Sequence, residues 1–511
     1  MKKFVSLCTT LSIVFTMFGT LSVFADSTAA DVEIATLAEL EAFRDSVNAG
    51  NSYEGKTVKL TADIDMSEKY SEGKDSWTPI GSFDWENPMP FSGTFDGGGH
   101  TISGLYINTE TDRNTGLFAI VDGTVQNLNV KGYILTTHMD GCAAGLVQQV
   151  GENGRILDCS FDGVVESRNY VAAGIASSNL GLISGCKFSG KVIGWHLTGA
   201  IASNGSEESV IKNCINEGEI TVNLCGGGIV GWGNRIENCV NTGKITGMSR
   251  SIEGYEPDTS WGVGGIAGVL GVGGEIENCY NIGAISGNSE VGGIIGTAEE
   301  GWTDNQSLAQ VKNCYNIGHV TSTMEKQDGE HNIGAIIGNR EYITPFGEEN
   351  DTKELTSEAT DCNYLIGTAD KGCGGNADDT ATALTVEQFA EKSNFVNWNF
   401  DTVWEMDDTL KRPVLRSNKE NPPIEINEYE IKYENEKAVA TVSQSGTYAI
   451  IFAAYDSGGR LRSVSAQNVP LIQGKNEPIE PKPNFNKNGT VKVMLWNGFN
   501  NLEPLCSPDR N

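Results

Sequence analysis

The chain has 511 residues, enough for several domains, and 62 of them are glycine, about 12 % against an average near 7 %. Its formal net charge is −31, although only 20 % of residues are charged. A hydrophobic content of 39 % argues against general disorder, the acidic balance disfavours a nucleic-acid partner, and glycines without a three-residue period exclude collagen.

Residues 1–25 read as a secretory signal peptide. Lys2 and Lys3 form a basic start, Phe4 to Phe18 is an apolar run broken only by Ser and Thr, and Val23-Phe24-Ala25 offers a cleavage site. The run is too short and interrupted to span about 30 Å of bilayer, and Cys8 sits inside it, too early for a lipidated cysteine. Without the two lysines, 34 basic and 67 acidic residues remain, a net charge of −33. No later segment reaches membrane-spanning length, and Leu505-Cys506-Ser507-Pro508 carries no hydrophobic sorting tail. The expected location is extracellular, either released or held non-covalently at the cell surface.

Residues 26–76 read as an N-terminal cap, with a helical period over Leu37–Val47 and a strand over Thr57–Ile64. A repeat follows through residues 77–375. A glycine followed by apolar residues recurs at Gly116, Gly145, Gly174, Gly199, Gly228, Gly265, Gly293 and Gly334, spaced by 29, 29, 25, 29, 37, 28 and 41 residues. The longer spacings hold polar insertions near Ser249–Trp261 and Ser322–His331. A second pattern is more regular. Cys159, Cys186, Cys214, Cys239, Cys279 and Cys314, with Leu128 one unit earlier, are each preceded at three residues by Val or Ile. Each is followed at four residues by Gly and at six by Ile or Val. The alternation after the cysteine has the period of a strand, and the glycine is expected to mark a corner. A coil of 25–29 residues cannot bury its inner face alone. Stacking successive coils does so, giving an all-β parallel β-helix, right-handed by the crossover rule. A β-propeller would need longer blades.

The units Gly228-Ile-Val-Gly231, Gly265-Ile-Ala-Gly268 and Gly293-Ile-Ile-Gly296 resemble the GLUG repeat of bacterial surface proteins. The lead-in also resembles that group, with Trp77-Thr78-Pro79-Ile80-Gly81 and Phe91-Ser92-Gly93-Thr94-Phe95-Asp96-Gly97, and so does the close, Asn397-Trp398-Asn399-Phe400. The resemblance covers about residues 33–416. It implies a right-handed parallel β-helix on a secreted protein and no reaction. Related stretches form non-catalytic arms of surface proteases, and no His-Glu-x-x-His occurs here.

Equivalent positions of such a helix stack about 4.8 Å apart. The six cysteines then form an internal column of free thiols, too far apart at Cβ for disulfides and not convergent on one point as a metal centre requires. Cys362 and Cys373 are the one plausible pair. Asn216, Asn241, Asn281 and Asn316 form a second internal column of hydrogen-bonded amides, with an amide-lined binding track as the sharper alternative. Lys212, Glu237, Glu277 and Lys312 form an outward charge ladder. Tyr280, Ile282, Tyr315 and Ile317 form an apolar strip that the aromatic segment Phe389–Trp404 could cover.

Residues 376–420 close the helix, with a short helix over 384–394 capped by Thr385. Pro422-Pro423 then opens a β-sandwich over 421–511, with strands at Tyr429–Tyr433, Ala438–Val442, Thr447–Ala454, Leu461–Ala466 and Thr490–Trp496. This module resembles those ending many secreted Firmicute proteins.

Catalytic residues are not legible. His100, His138, His196, His319 and His331 share no coil position, and Asp63 and Asp65 are at most a weak Ca²⁺ signal; no other cofactor is implied. Trp195, Trp232, Tyr255, Trp261 and Trp302 lie in or beside coil loops. On one side of the helix they could stack on sugar rings; alternatively each plugs its own loop. The reading is a non-catalytic adhesin-like protein that binds an extracellular glycan or a host or cell-surface protein. The alternatives are a polysaccharide lyase or glycoside hydrolase and a passive spacer. A groove holding charged residues from three or more coils would favour an enzyme, and aromatics without a convergent acid and base would favour binding.

Overall fold

The computed structural model describes residues 30–83, 86–113, 115–249, 260–299, 308–323, 332–343, 353–375 and 379–418. Near the C-terminus it describes 430–434, 436–442, 446–456, 460–471, 474–475, 478–482, 485–486, 490–496 and 509–510. The signal segment, Pro422-Pro423, Tyr255, Trp302, His331 and Cys506 lie outside the described residues.

Parallel pairing dominates from Val32 to Leu384, each strand lying beside its equivalent one coil away. Among the described residues three sheets of 16, 15 and 7 strands run along the body. This is a parallel β-helix, and its parallel ladders are incompatible with propeller blades. The coil from Ala143 to Ser167 shows the plan. Ala143–Ala144 lies in the 7-stranded sheet, Val147–Val150 and Arg155–Leu157 lie in the 16-stranded sheet on either side of a corner, and Ser160–Ser167 lies in the 15-stranded sheet. One inward column reads Val125, Ile156, Ile183, Ile211, Ile236, Ile276 and Val311 in unbroken register.

The turn into the 15-stranded sheet is made by the residue before each cysteine position. Asn127, Asp158, Asn213, Asn238, Asn278, Asn313 and Asp361 all have φ between 50 and 54°, and Gly185 takes the same place. Asn and Asp tolerate this left-handed conformation better than other side chains. The sequence placed the corner at the glycine four residues after the cysteine. Gly218, Gly243, Gly283 and Gly318 do sit at bends between two short strands, but both strands belong to the 15-stranded sheet, so the glycine marks a bend within that sheet and not the turn into it. Gly163 and Gly190 lie within strands of the 15-stranded sheet. Glycine is needed there because a Cβ on Gly163 would strike the carbonyl oxygen of Gly132 one coil earlier.

Two further expectations change. Cys362 and Cys373 are both free. Cys362 is a seventh rung of the thiol column, its Sγ donating to the Val311 carbonyl at 3.3 Å, whereas Cys373 pairs by backbone with Ile337. The expected helix over 384–394 is only Val386–Phe389, with Thr385 and Gln388 in a capping box, followed by a 3₁₀ turn over Lys392–Asn394. The chain leaves the helix early because Phe389, Phe395, Trp398, Phe400 and Trp404 pack together with Tyr280 and Tyr315 of the body. Those two tyrosines stack 4.8 Å apart, and the buried Arg412 guanidinium lies over both rings.

At the other end, the helix Leu37–Asn48 begins in a Thr36–Glu39 capping box and buries Leu40, Phe43 and Val47. Phe43 lies 5.6 and 5.7 Å from the rings of Phe91 and Phe95 and closes the first interior layer. The C-terminal residues form antiparallel sheets of three and four strands, which share a core that includes Ile431, Ala440, Ile450, Phe452 and Val493.

Candidate binding surface

The interior columns are closed to ligands. Asn216, Asn241, Asn281 and Asn316 are fully buried. The first three donate from Nδ2 to Oδ1 of the next asparagine at 2.7, 2.6 and 2.7 Å. Each Oδ1 also accepts from the glycine N–H two residues on, at 2.8–3.2 Å. Asn241, Asn281 and Asn316 return a second bond to that glycine's carbonyl at 2.8–3.0 Å. The amides of Asn241 and Asn281 are therefore saturated, which leaves no amide-lined track. The glycine that opens each unit faces this column. A Cβ on Gly228, Gly265 or Gly293 would strike Asn241, Asn281 or Asn316, and one on Gly145 or Gly174 would strike Phe161 or Phe188. The repeated glycine and the ladder residue are thus two halves of one packing unit.

The thiols of Cys159, Cys186, Cys214, Cys239, Cys279, Cys314 and Cys362 each donate to the carbonyl two residues earlier, at 3.1–3.6 Å. Burial pushes the thiols of Cys159, Cys214, Cys239, Cys279 and Cys314 well above their ordinary range. They behave as small apolar side chains, each sharing its weak S–H donor between that carbonyl and one on the preceding coil at 3.6–4.0 Å.

The outer surface is different. The corner between the 15-stranded and 7-stranded sheets carries a column of large side chains. The Trp195 N–H donates to the Tyr170 carbonyl at 2.9 Å, the Leu224 N–H to Trp195 at 3.0 Å, and the Trp261 N–H to Leu224 at 3.0 Å. Tyr170, Trp195, Leu224 and Trp261 thus occupy one edge on consecutive coils. Tyr170 and Trp261 are 41 % and 40 % exposed, and Met139 and Met248 of the same edge are 77 % and 44 % exposed. His196 stacks on Tyr170 with ring centroids 6.2 Å apart, and burial lowers its pKa. Of the five aromatics singled out by sequence, Trp195 and Trp261 share this edge. Trp232 does not. It sits mid-sheet between Asn204 and Val269, half-buried, with its indole N–H unpartnered among the described residues. Tyr170 and the two methionines were missed, because their loops match no repeat position.

A groove of about 1000 Å³ crosses the outer face of the 16-stranded sheet. It takes Glu152 and Arg155 from one coil, Leu180 and Leu182 from the next, Glu207, Glu208, Val210 and Lys212 from the third, and Arg235 and Glu237 from the fourth. Lys212, Glu237, Glu277 and Lys312 are register neighbours. Two of them pair instead with residues at other positions, Glu237 with Arg235 at 2.8 Å and Lys312 with Glu275 at 2.9 Å.

Near the N-terminal end, Asp63 accepts from the Thr101 N–H at 2.9 Å and faces His100 Nδ1 at 3.2 Å, contacts that lower its pKa. Asp65 accepts from the Ser67 N–H at 2.9 Å. Among the described residues no three His, Cys, Asp or Glu side chains converge as a metal site.

No family model matches the chain. A stretch of 156 residues is 31 % identical to halomucin of Haloquadratum walsbyi. A stretch of 107 residues is 32 % identical to a protein of Evansella cellulosilytica provisionally named a Gly-rich membrane protein. These stretches are 29 % and 20 % of this chain but 2 % and 12 % of the relatives, so the chain spans a small part of the curated proteins it matches. Among solved structures, a protein of Bacteroides ovatus provisionally assigned as an immunoglobulin A1 protease is 17 % identical, with a TM-score of 0.38. That comparison covers 75 % of this chain and 92 % of that one. An IgA1 protease is 12 % identical over 93 % of this chain and 34 % of its own, with a TM-score of 0.36. At these scores the β-helix rests on its own strand pairing and not on the superpositions. Among the described residues no helix is long and apolar enough to cross a membrane.

Proposed function

We propose that this is an exported, non-catalytic β-helix protein, adhesin-like, that binds an extracellular glycan along its aromatic edge. The observation that carries the reading is the column Tyr170–Trp195–Leu224–Trp261, held in line by backbone hydrogen bonds between coils. Strand spacing sets rings one and two rungs apart, about 5 and 10 Å, the scale of successive sugar rings. Flat aromatic faces with an apolar body and a polar tip suit such rings. The net charge of −33 (after Lys2 and Lys3) directs the protein away from polyanionic glycans and towards neutral ones. The signal segment at residues 1–25 supports export, and the reading needs no cofactor.

The test is a glycan array on the mature chain, beside a Trp195→Ala/Trp261→Ala variant. Binding weakened at least tenfold, about 1.4 kcal/mol, supports the proposal. Wild-type binding in the variant, or no binding by either chain, would overturn it. A second reading, a glycan-cleaving enzyme, is favoured by the groove with its charges from three coils. Release of reducing or unsaturated sugar ends by the wild-type chain would establish that reading in place of the first.

A further inference from the structure

We propose that the groove on the 16-stranded sheet is a second binding site, built for a lysine side chain of an extended acidic-flanked polypeptide. Its shape follows from unequal corners. Val147, Ala176, Ala202 and Val230 are register equivalents, as are Arg155, Leu182, Val210 and Arg235. The chain takes 8, 6, 8 and 5 residues to pass from the first set to the second. The second coil therefore turns low between two taller neighbours and leaves a notch about two rungs, or 10 Å, wide. Glycine at 181 makes the low turn possible, since a Cβ there would strike the carbonyl oxygens of Gly151 and Gly154.

Both walls are fixed before any ligand arrives. On one side Asn153 donates to Asp122 from its backbone at 3.2 Å and from its side chain at 3.4 Å. On the other, Ser209 Oγ accepts from the Ser206 N–H at 2.9 Å and donates to the Ser206 carbonyl at 2.8 Å. These walls carry Glu152 and the pair Glu207 and Glu208, exposed and without an ion-pair partner among the described residues. The floor between them is the half-buried Leu180, Leu182 and Val210.

An apolar floor under a carboxylate rim fits an aliphatic stem ending in an ammonium, which is a lysine side chain. Arg155 lies at one end of the floor, and Lys212 lies at the other beside the Arg235–Glu237 pair. Neither Arg155 nor Lys212 has an ion-pair partner among the described residues. A free diamine would gain nothing from those two cations, whereas a peptide with acidic residues flanking its lysine would pair with both. The site is separate from the aromatic edge and stands whether or not that edge binds glycans.

The test uses the mature chain and a fluorescent pentapeptide with a central lysine, aliphatic neighbours and terminal aspartates, read by anisotropy. A Glu207→Gln/Glu208→Gln variant should bind it at least tenfold more weakly. Glu33→Gln/Glu54→Gln, which removes the same charge from exposed positions elsewhere, should change affinity less than twofold. The Trp195→Ala/Trp261→Ala chain should bind as wild type does, and cadaverine should not displace the peptide at equal concentration. No peptide binding to the wild-type chain would overturn the proposal, as would equal weakening in the two Glu variants. Displacement by cadaverine would overturn it in favour of a free-amine site.

Discussion

Asn241 is fully buried and makes four hydrogen bonds: it accepts from Asn216 and Gly243 and donates to Asn281 and Gly243. Removing its amide strands partners on three sides, and each buried polar group left unpaired costs about 1–3 kcal/mol. Asn241→Ala should therefore destabilise the chain by about 3 kcal/mol or more. Asn241→Asp should be at least as damaging, because a carboxylate has no N–H for Asn281 Oδ1 or the Gly243 carbonyl. The check is the urea midpoint together with amide exchange at Gly243, where unchanged protection in both variants would refute the argument. This column was legible in the sequence, because a buried Asn every coil has few ways to be satisfied. The turn residues beside it were not. Asn213, Asn238, Asn278 and Asn313 precede the cysteines without a sequence signal that singled them out, and only their φ values show that they make the corner.

At the scale of an element, the thiol column links fold to pH. Seven cysteines stack on consecutive coils, and burial holds five of their thiols well above an ordinary thiol pKa. In the unfolded chain they would titrate near about 8.5. Below that pH both states keep the proton and stability is whole. As pH rises above it, the unfolded state ionises while the folded state does not, so stability falls by up to about 1.4 kcal/mol per pH unit for each thiol. The urea midpoint should drop steeply between about pH 8.5 and 10, and Cys239→Ala/Cys279→Ala should flatten that slope. An equally steep slope in the double variant would sink the explanation. The column was read from six matching units, yet its seventh rung was taken for half of a disulfide. The signal fails there because the spacing stretches from Cys314 to Cys362 and the ladder partner two residues on changes from Asn316 to Tyr364. The aromatic edge was legible only in part for a related reason. Trp195 and Trp261 lie in loops of unequal length, so their common column follows from backbone pairing and not from spacing.

The whole molecule is close to one-dimensional: each coil touches its neighbours, and stability depends on how the two ends are closed. An uncovered end offers unpaired backbone to any other strand. At the N-terminal end, Thr57–Lys59 pairs with Thr94–Asp96, and the capping helix seats Phe43 on Phe91 and Phe95. Deleting residues 30–61 should therefore expose both a strand edge and an aromatic layer. The truncated chain should self-associate, whereas a chain ending at Asn418 should keep the parent's oligomeric state and the thermal midpoint of the β-helix. Net charge sharpens the test. A highly acidic chain repels its copies at low ionic strength, and salt screens that repulsion within about 10 Å at 0.1 M. Association of the truncated chain should then grow with salt, the reverse of an interaction held by ion pairs. Size-exclusion chromatography with light scattering at low and high salt measures it. A truncated chain that stays monomeric in both would show that the first coil closes itself without the cap.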